Sequence, residues 1–197
     1  MFEGMDGVGK TTQLTLAKDV LTQQGWLVES SRSLGGTPIG EALRSVLLQP
    51  LPRPPMTDLH IAAADQEALI EAMKLQRSKD CIILHDRGPL SIAAYQIYGD
   101  GIDESIGWSY VEAGISRLAP DLIIIYECDP EIALRRIKKP GLSSQDFFES
   151  KPLDYFKKVA NGYAEAAKRY KAVVINANQP VDQVRQATMQ HINALLK

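Results

Sequence analysis

Cysteine is scarce in this chain of 197 residues: only Cys81 and Cys128 occur, without a C-x-x-C spacing or a histidine cluster beside them. Both lie in or beside apolar runs that read as strands, so we interpret them as reduced core thiols of a cytoplasmic protein. Apolar runs long enough to span a bilayer are missing too, and no basic segment followed by an apolar stretch opens the sequence. Secretion and membrane insertion are therefore not expected.

An excess of charge of one sign is also missing. The 22 Lys and Arg residues nearly balance the 24 Asp and Glu residues, which leaves a formal net charge of −2. Such a balance shows neither a basic nucleic-acid footprint nor an acidic solvating tail, so we expect a small-molecule partner and no nucleic acid. The apolar share of 45% is enough for a proper core, and we expect residues 1–197 to form a single domain.

Short apolar runs separated by helical patterns organise the chain. Continuous runs, rather than alternating ones, suit strands covered on both faces. They are residues 26–28, 81–84, 122–126 and 172–175. Helical spacing is seen at Leu14, Ala17 and Leu21, and again at Val184, Ala187, His191 and Leu195. The alternation predicts an α/β fold: a three-layer α-β-α sandwich around a parallel five-stranded sheet.

Two clusters of helix-breaking residues interrupt this alternation. Residues 49–55 are rich in proline and predict a stiff connector, while residues 139–144 predict a surface loop inside a lid segment around 138–152. Only three residues precede Gly4, whereas a strand usually has about five or six. Either the first strand is short, or the true start lies upstream.

Residues 4–11 read Gly-Met-Asp-Gly-Val-Gly-Lys-Thr and fit G-x-x-x-x-G-K-[ST] at every fixed position, with an amphipathic helix pattern directly after them. Glycines let such a P-loop turn tightly and bring its backbone N–H groups onto phosphate oxygens. We therefore predict that ATP and Mg²⁺ bind here, with Lys10 on the phosphates and Thr11 on the metal. The predicted nucleotide-binding residues of the loop are Gly4, Met5, Asp6, Gly7, Val8, Gly9, Lys10, Thr11 and Thr12.

Together with three later blocks, the P-loop segment resembles the thymidylate kinase family over essentially the whole chain. Residues 32–44 look like the family's R-E-P-G-G-T-x-I-G-E-x-L-R segment, and residues 86–96 look like D-R-Y-x-x-S-x-x-A-Y-Q. Residues 120–134 resemble the family's next strand and helix, and residues 162–163 and 174–177 also fit. The resemblance implies a P-loop kinase that uses ATP and Mg²⁺ to phosphorylate dTMP to dTDP for dTTP biosynthesis, acting as a homodimer.

Catalytic and metal-binding roles concentrate at the end of the third strand. Asp86 stands at the carboxyl edge of the predicted sheet, where open α/β sheets hold ligands, so it suits Mg²⁺ together with Thr11. Arg87 and Arg32 can grip phosphate oxygens with a planar fork of donors, although either could instead be a solvated surface charge. We expect Lys10, Asp86 and Arg87 to be the catalytic residues.

The resemblance also implies contacts to the nucleotides. Asp6 corresponds to an acid that contacts the deoxyribose 3′ hydroxyl, and Tyr95 to a tyrosine that lies against the sugar where a 2′ hydroxyl would be. Taken alone, Tyr95 fits core packing, and Ser91 either bonds the base or caps a helix. The expected substrate-binding residues are Asp6, Arg32, Gln66, Arg87, Ser91, Tyr95 and Tyr163, with Arg136 on the ATP side.

This chain departs from the family pattern where the base is read. The family segment F-A-A-D-R, whose phenylalanine stacks on thymine and whose arginine bonds it, corresponds here to residues 62–66, with Ala62 and Gln66 at those two positions. Gln66 still offers an amide donor and acceptor to a pyrimidine edge. This change favours, as an alternative, a P-loop kinase for another nucleotide or nucleoside.

The lid departs as well, because Phe147 replaces the arginine of the family's D-R-[FI]-E motif. Losing such an arginine costs on the order of 10³ to 10⁵ in rate, which motivates a second alternative, a nucleotide-binding paralogue with weak turnover. A third departure is Gly88-Pro89 after Arg87. The expected homodimer could use the small residues 62–64 and the apolar stripe of Leu69, Ile70 and Met73, a surface that fits a monomer core equally well.

Overall fold

The computed structural model describes residues 1–77, 81–138 and 151–196. Five strands form the sheet: β1 Phe2–Glu3, β2 Val28–Arg32, β3 Ile82–Asp86, β4 Ile124–Glu127 and β5 Val173–Asn176. The α-helices are α1 Lys10–Gln23, α2 Pro38–Leu47, α3 Pro55–Arg77, α4 Leu90–Ile92, α5 Glu104–Leu118, α6 Pro130–Ile137, α7 Leu153–Tyr170 and α8 Val181–Leu195. A π-helix, Ala93–Gly99, continues directly from α4.

All strand pairs of the sheet are parallel, in the order β2-β3-β1-β4-β5. Strand β1 is central, with Phe2 opposite Asp86 on one side and Ile124 on the other. Because the connection after β1 runs to the edge strand β2 while the connection after β3 runs the opposite way to β4, the loops after β1 and β3 lie at the switch point of the strand order, where such sheets bind ligands. The predicted α/β architecture with a short first strand is confirmed.

Local sequence signals set several helix starts. Thr37 caps α2 by accepting a hydrogen bond from the Gly40 backbone N–H at 2.9 Å, and Pro38 occupies the first helical position. The Asp103 carboxylate caps α5, and the Asp129 carboxylate caps α6, which also begins with a proline. Residues 50–54 form the expected connector, and α3 begins at Pro55, the last residue of the Pro-rich stretch.

Strand boundaries differ from the apolar runs in one important place. Trp26 and Leu27 were expected in a strand, but they lie before β2 and are 42% and 54% exposed. Strand β2 begins at Val28 and continues through polar residues to Arg32, because register with β3 supplies backbone partners along that whole stretch. In α8, Val184 is buried as expected, whereas Leu195 is half exposed.

The stripe on α3 belongs to the monomer core. Leu69, Ile70 and Met73 are each at most 4% exposed and form a small cluster with Leu118 of α5. They are therefore unavailable as the expected dimer surface in this conformation. Residues 139–150, which include Phe147 and most of the predicted lid, lie outside the described residues. Within the described ranges, no helix is both long and apolar enough to cross a membrane.

Candidate active site

The P-loop follows β1 and depends on glycines that have no room for a side chain. Gly4 has φ +137°, and a Cβ there would stand 2.6 Å from the Tyr126 carbonyl oxygen. Gly7 has φ +78°, and a Cβ there would stand 2.4 Å from the Ala133 carbonyl oxygen. These contacts pack the loop against β4 and α6, so its shape is held by neighbouring elements.

Helix α1 begins directly after the loop, with Gly9 as the cap residue. Within the described ranges, no side chain caps its first N–H groups, so they remain available to an anion, aided by the positive end of the helix dipole. Lys10 is buried, and its Nζ donates to the Met5 carbonyl oxygen at 2.9 Å. Burial and the positive charge of Arg87 lower the pKa of Lys10 to about 8.

Thr11 and Asp86 meet as the P-loop motif requires. Thr11 Oγ1 donates to Asp86 Oδ2 at 3.1 Å, while Asp86 Oδ1 is buried and accepts no hydrogen bond from any described residue. Magnesium is commonly held by one or two protein oxygens together with substrate phosphates. Among the described residues, no group of three or more His, Cys, Asp or Glu forms a site of its own. The unpaired carboxylate oxygen and the neighbouring hydroxyl thus fit a magnesium ion shared with phosphates.

Arg87 is the centre of a polar cluster next to the P-loop. Its Nη2 donates to Asp6 Oδ1 and, at 3.3 Å, to the Tyr95 hydroxyl, while Nη1 donates to the Gly4 carbonyl and the Tyr163 hydroxyl, both at 3.1 Å. The Tyr95 hydroxyl in turn donates to Asp6 Oδ2 at 2.6 Å. Arg87 is also a non-glycine residue with φ +62°, an uncommon conformation that often marks functional positions.

The Asp6 carboxyl group of this cluster is ionised. Burial raises the pKa of Asp6, but Arg87, Lys10 and the hydrogen bond from Tyr95 outweigh it and hold that pKa at about 2. The Asp6 side chain is 34% exposed, whereas that of Arg87 is only 16% exposed. Asp6 is therefore an anion that keeps one side toward solvent, while Arg87 is largely enclosed.

Beside this cluster lies a cavity of about 100 Å³. Its floor and walls combine apolar side chains from α2 and α3 with polar groups from α3 and the segment after β3. Five of the predicted site residues line it: Asp6, Gln66, Arg87, Ser91 and Tyr95. Ala62 lines it as well, so the two positions where this chain departs from the family pattern face one space.

Asp65 is a site residue that the sequence reasoning missed. It is fully buried, Oδ1 accepts a hydrogen bond from the Gly35 N–H at 2.9 Å, and Oδ2 has no partner among the described residues. Burial raises its pKa to about 6, opposed by the hydrogen bond from Gly35. Asp65 thus ties α3 to the glycine turn before α2 at the wall of the cavity.

The predicted arginines are not all at the cavity. Arg32 lies outside the lining residues; its Nη2 donates to Glu41 Oε1 at 2.6 Å, and both side chains are 51% exposed. Arg44 lines the cavity instead and donates to the Leu34 carbonyl oxygen at 3.2 Å. In this conformation Arg32 is an exposed partner of Glu41, and Arg44 and Arg87 are the arginines among the described cavity-lining residues.

Arg136 takes a position on the other side of the P-loop. Its guanidinium donates to the Ala177 carbonyl oxygen from Nη1 at 3.1 Å and from Nη2 at 3.2 Å, and Nη1 lies 3.5 Å from the Gly7 carbonyl oxygen. It joins the ends of α6 and β5 to the loop. This placement is consistent with its expected place beside the ATP side of the site.

Ser91 and Tyr163 meet behind Arg87, where Ser91 is the second residue of α4. Pro89, not Ser91, occupies the cap position of α4, so the capping interpretation of Ser91 is wrong. Ser91 Oγ and the Tyr163 hydroxyl lie 2.9 Å apart, and Ser91 Oγ donates to Glu3 Oε2 at 2.8 Å. The sequence reasoning missed Glu3, although an acidic residue in a buried strand was the available signal.

A parallel sheet with a P-loop at its switch point, a buried lysine, and a Thr-Asp pair beside a polar cavity together define a P-loop phosphotransferase of the small nucleotide kinase class. The family model "Thymidylate kinase" matches residues 2–188. The chain belongs to the thymidylate kinase family.

Curated relatives agree with this assignment over more than nine tenths of their lengths. The thymidylate kinase of Geotalea daltonii is 34% identical, with 94% of this chain and 92% of the relative covered. The thymidylate kinase of Caldicellulosiruptor saccharolyticus is 33% identical, with 100% and 96% covered. That of Bacillus licheniformis is also 33% identical, with 100% and 95% covered.

Proposed function

We propose that this chain transfers the γ-phosphoryl group of ATP to the 5′ phosphate of dTMP, giving dTDP and ADP for dTTP biosynthesis. The observation that carries the proposal is the Asp6, Arg87 and Tyr95 cluster, which stands between the P-loop and the cavity. A cation and an anion fixed side by side there can hold an acceptor phosphate and a sugar hydroxyl next to the ATP phosphates.

On the ATP side, the chain supplies amides and cations. The N–H groups at the start of α1 and the Lys10 ammonium hold the phosphates, and Arg136 borders the opposite side of the loop. Thr11 and Asp86 would hold Mg²⁺, which when bound neutralises charge on the β and γ phosphates. Lys10 bonds its own loop here, so we expect the phosphates to displace the Met5 carbonyl as its partner.

On the acceptor side, each polar group has a distinct place. In this proposal Arg87 binds the dTMP phosphate, and the exposed side of Asp6 suits the 3′ hydroxyl. The Tyr95 ring bounds the space beside Asp6, which suits a sugar without a 2′ hydroxyl. Gln66 and Ser91 line the cavity and complete the acceptor side, while Tyr163 lies behind Arg87; Gln66 offers its amide to the base edge.

A second candidate is phosphorylation of another pyrimidine nucleotide. It is favoured by Ala62 and Gln66, which line the cavity where the family pattern has an aromatic ring and an arginine. Ala62 has no aromatic ring to stack on the base. At the edge of the base, the Gln66 amide replaces the positive charge of the family's arginine. The choice between the two candidates depends on the base, not on the phosphate chemistry, since the P-loop and Arg87 serve both.

The deciding experiment follows ADP release from ATP and Mg²⁺ while dTMP, dUMP, UMP, CMP and dCMP are offered in turn. Lys10→Ala is the control variant and must lose the signal. We expect the highest kcat/KM with dTMP. A different preferred nucleotide would support the second candidate, while tight ATP binding without any turnover would leave a weak nucleotide-binding paralogue.

We further propose a cytoplasmic homodimer. Neither Cys81 nor Cys128 forms a disulfide, which suits a reducing compartment, and the family resemblance implies the dimer. With the stripe of Leu69, Ile70 and Met73 used in the core, the dimer must form through other residues. Light scattering of the purified protein tests this: a mass near twice 21.7 kDa supports the dimer, and a mass near 21.7 kDa contradicts it.

A further inference from the structure

Glu3 is a charged side chain inside the central strand of the sheet. It is 0% exposed, although it lies between Phe2, which packs in the core, and Gly4 of the P-loop. A carboxylate at such a place is costly unless every oxygen is paired. Glu3 Oε1 accepts a hydrogen bond from the Gly88 N–H at 2.9 Å, and Oε2 accepts one from Ser91 Oγ at 2.8 Å.

The second oxygen also faces the tyrosine that contacts Arg87. The Tyr163 hydroxyl lies 3.3 Å from Glu3 Oε2 and 2.9 Å from Ser91 Oγ, and it accepts a hydrogen bond from Arg87 Nη1 at 3.1 Å. A continuous chain of hydrogen bonds therefore runs from the guanidinium through Tyr163 and Ser91 to the carboxylate. Glu3 also fixes Gly88, the residue that follows Arg87.

The order of donors in this chain follows from its two ends. Arg87 can only donate and the ionised Glu3 carboxylate can only accept, so Ser91 Oγ donates to Oε2, and the Tyr163 hydroxyl donates toward Ser91 Oγ or Oε2. That direction leaves a lone pair of Tyr163 for Arg87. Because Arg87 also bonds Asp6, these hydrogen bonds together determine the position of the guanidinium relative to the P-loop.

We propose that Glu3 is a positioning residue that holds Arg87 in place for the acceptor phosphate by acting through Tyr163 and Ser91. This role rests on the proposed function, in which Arg87 binds that phosphate. Glu3 does not touch the cavity, since it is absent from the described lining residues. It therefore acts on the substrate only through the groups that it aligns.

The charge balance around Glu3 agrees with this role. Burial raises its pKa to about 7, while Ser91, Arg87, Gly88 and Lys10 act in the opposite direction. The Met1 amino group and the Tyr163 hydroxyl also face it. A carboxylate that is hard to ionise at this position is a feature that stability alone would not select.

Glu3→Gln tests the proposal with nearly the same shape. The side-chain amide of this variant would place N–H donors where Oε2 offered lone pairs. The direction of the hydrogen bonds would then reverse, and Arg87 Nη1 would compete with another donor for the Tyr163 hydroxyl oxygen. We expect KM for dTMP to rise at least about tenfold, KM for ATP to change less than about twofold, and the melting temperature at pH 8 to be no lower than that of the unaltered protein.

A double-mutant cycle then separates positioning from packing. If Glu3 acts through Tyr163, the Glu3→Gln, Tyr163→Phe double variant has the same kcat/KM for dTMP as Tyr163→Phe alone. Additive losses, or an unchanged KM for dTMP in Glu3→Gln, overturn the proposal. The matched control is Glu112→Gln, which removes an exposed partner of Arg169 and leaves the kinetics unchanged.

Two further measurements keep the result separate from the proposed function. If the unaltered protein phosphorylates none of the nucleotides, the proposed function fails, and a crystal structure of Glu3→Gln decides the positioning role: loss of the Arg87 contact to Tyr163 supports it, and retention overturns it. If Glu3→Gln does not fold, Ser91→Ala breaks the same chain. Because Ser91 also lines the cavity, the readout for this variant is its crystal structure: loss of the Arg87 contact to Tyr163 supports the role, and retention overturns it.

Discussion

The Tyr95 hydroxyl donates to Asp6 Oδ2 at 2.6 Å, although 89 residues separate the two in sequence. The same hydroxyl accepts from the Asp6 N–H at 3.2 Å and from Arg87 Nη2 at 3.3 Å. Tyr95 lies in the π-helix Ala93–Gly99, a rare conformation that is frequent at functional sites. One phenol therefore holds the P-loop acid and Arg87, the arginine proposed to bind the acceptor phosphate, in a single arrangement.

Removing this hydroxyl separates its two contributions. We expect Tyr95→Phe to raise KM for dTMP roughly tenfold, because a hydrogen bond to a charged group is worth about 1.5 kcal/mol or more. The ring remains, so the preference for dTMP over ribothymidine monophosphate should persist. Tyr95→Ala should lose both affinity and that preference. Steady-state kinetics with the two nucleotides is the measurement, and an equal preference in both variants would contradict the expectation.

Asp86→Asn tests the metal site. Asn offers one oxygen in place of two and no charge, so we expect the Mg²⁺ concentration for half-maximal rate to rise at least about tenfold. ATP binding without metal should change little, since the P-loop amides and Lys10 are untouched. Asp103→Asn is the matched control, because Asp and Asn cap helices about equally well and Asp103 caps α5. A parallel change in both variants would argue against the metal role.

Gly7 and Gly101 share one backbone conformation but differ in the space around them. Both have φ +78°, but a Cβ at Gly7 would stand 2.4 Å from the Ala133 carbonyl oxygen, whereas nothing lies within 4 Å of one at Gly101. Gly101→Ala should lower the free energy of unfolding by about 1 kcal/mol from the left-handed conformation alone.

Gly7→Ala should lower that free energy by roughly 2 kcal/mol more, because α6 must move away from the loop. It should also weaken ATP binding, while Gly101→Ala leaves binding intact. Urea unfolding and calorimetric titration with ATP provide the two readouts. Equal losses in stability would show that the contact with Ala133 does not matter.

Stability should depend on pH through Glu3. Its pKa is about 7 in the folded chain and 4.5 in the unfolded one, so the folded state binds more protons between these values. The free energy of unfolding therefore falls as pH rises from about 4.5 to 7, by roughly 3 kcal/mol.

Asp65, whose pKa is raised to about 6, also makes the free energy of unfolding fall as pH rises. The contribution of Glu3 is therefore obtained by comparing the pH dependence of the unaltered protein with that of Glu3→Gln. Urea unfolding at pH 5 and pH 8 measures it. We expect Glu3→Gln to lose less stability over this interval than the unaltered protein, and Glu112→Gln to lose the same amount. An identical slope for Glu3→Gln would show that Glu3 does not titrate in this range.

Much of the fold was predictable because its signals are local. The P-loop pattern occupies eight consecutive residues, and the helix after it begins at Lys10 as expected. Continuous apolar runs located β3, β4 and β5 to within two residues at each end. At β2 the same signal failed, because Trp26 and Leu27 are apolar yet exposed, and the strand is defined by backbone pairing with β3.

Short patterns in a known order are enough to identify the phosphate-binding loop, the parallel sheet and the family. The folded chain was needed to see that Arg87 meets Asp6 across 81 residues, that Ser91 meets Glu3 across 88, and that Arg32 pairs with Glu41. Such contacts depend on the fold because burial and hydrogen-bond partners come from other elements, which the strand order β2-β3-β1-β4-β5 brings together. An acid in a buried strand marks Glu3 as unusual, but its role follows from Gly88, Ser91 and Tyr163 around it.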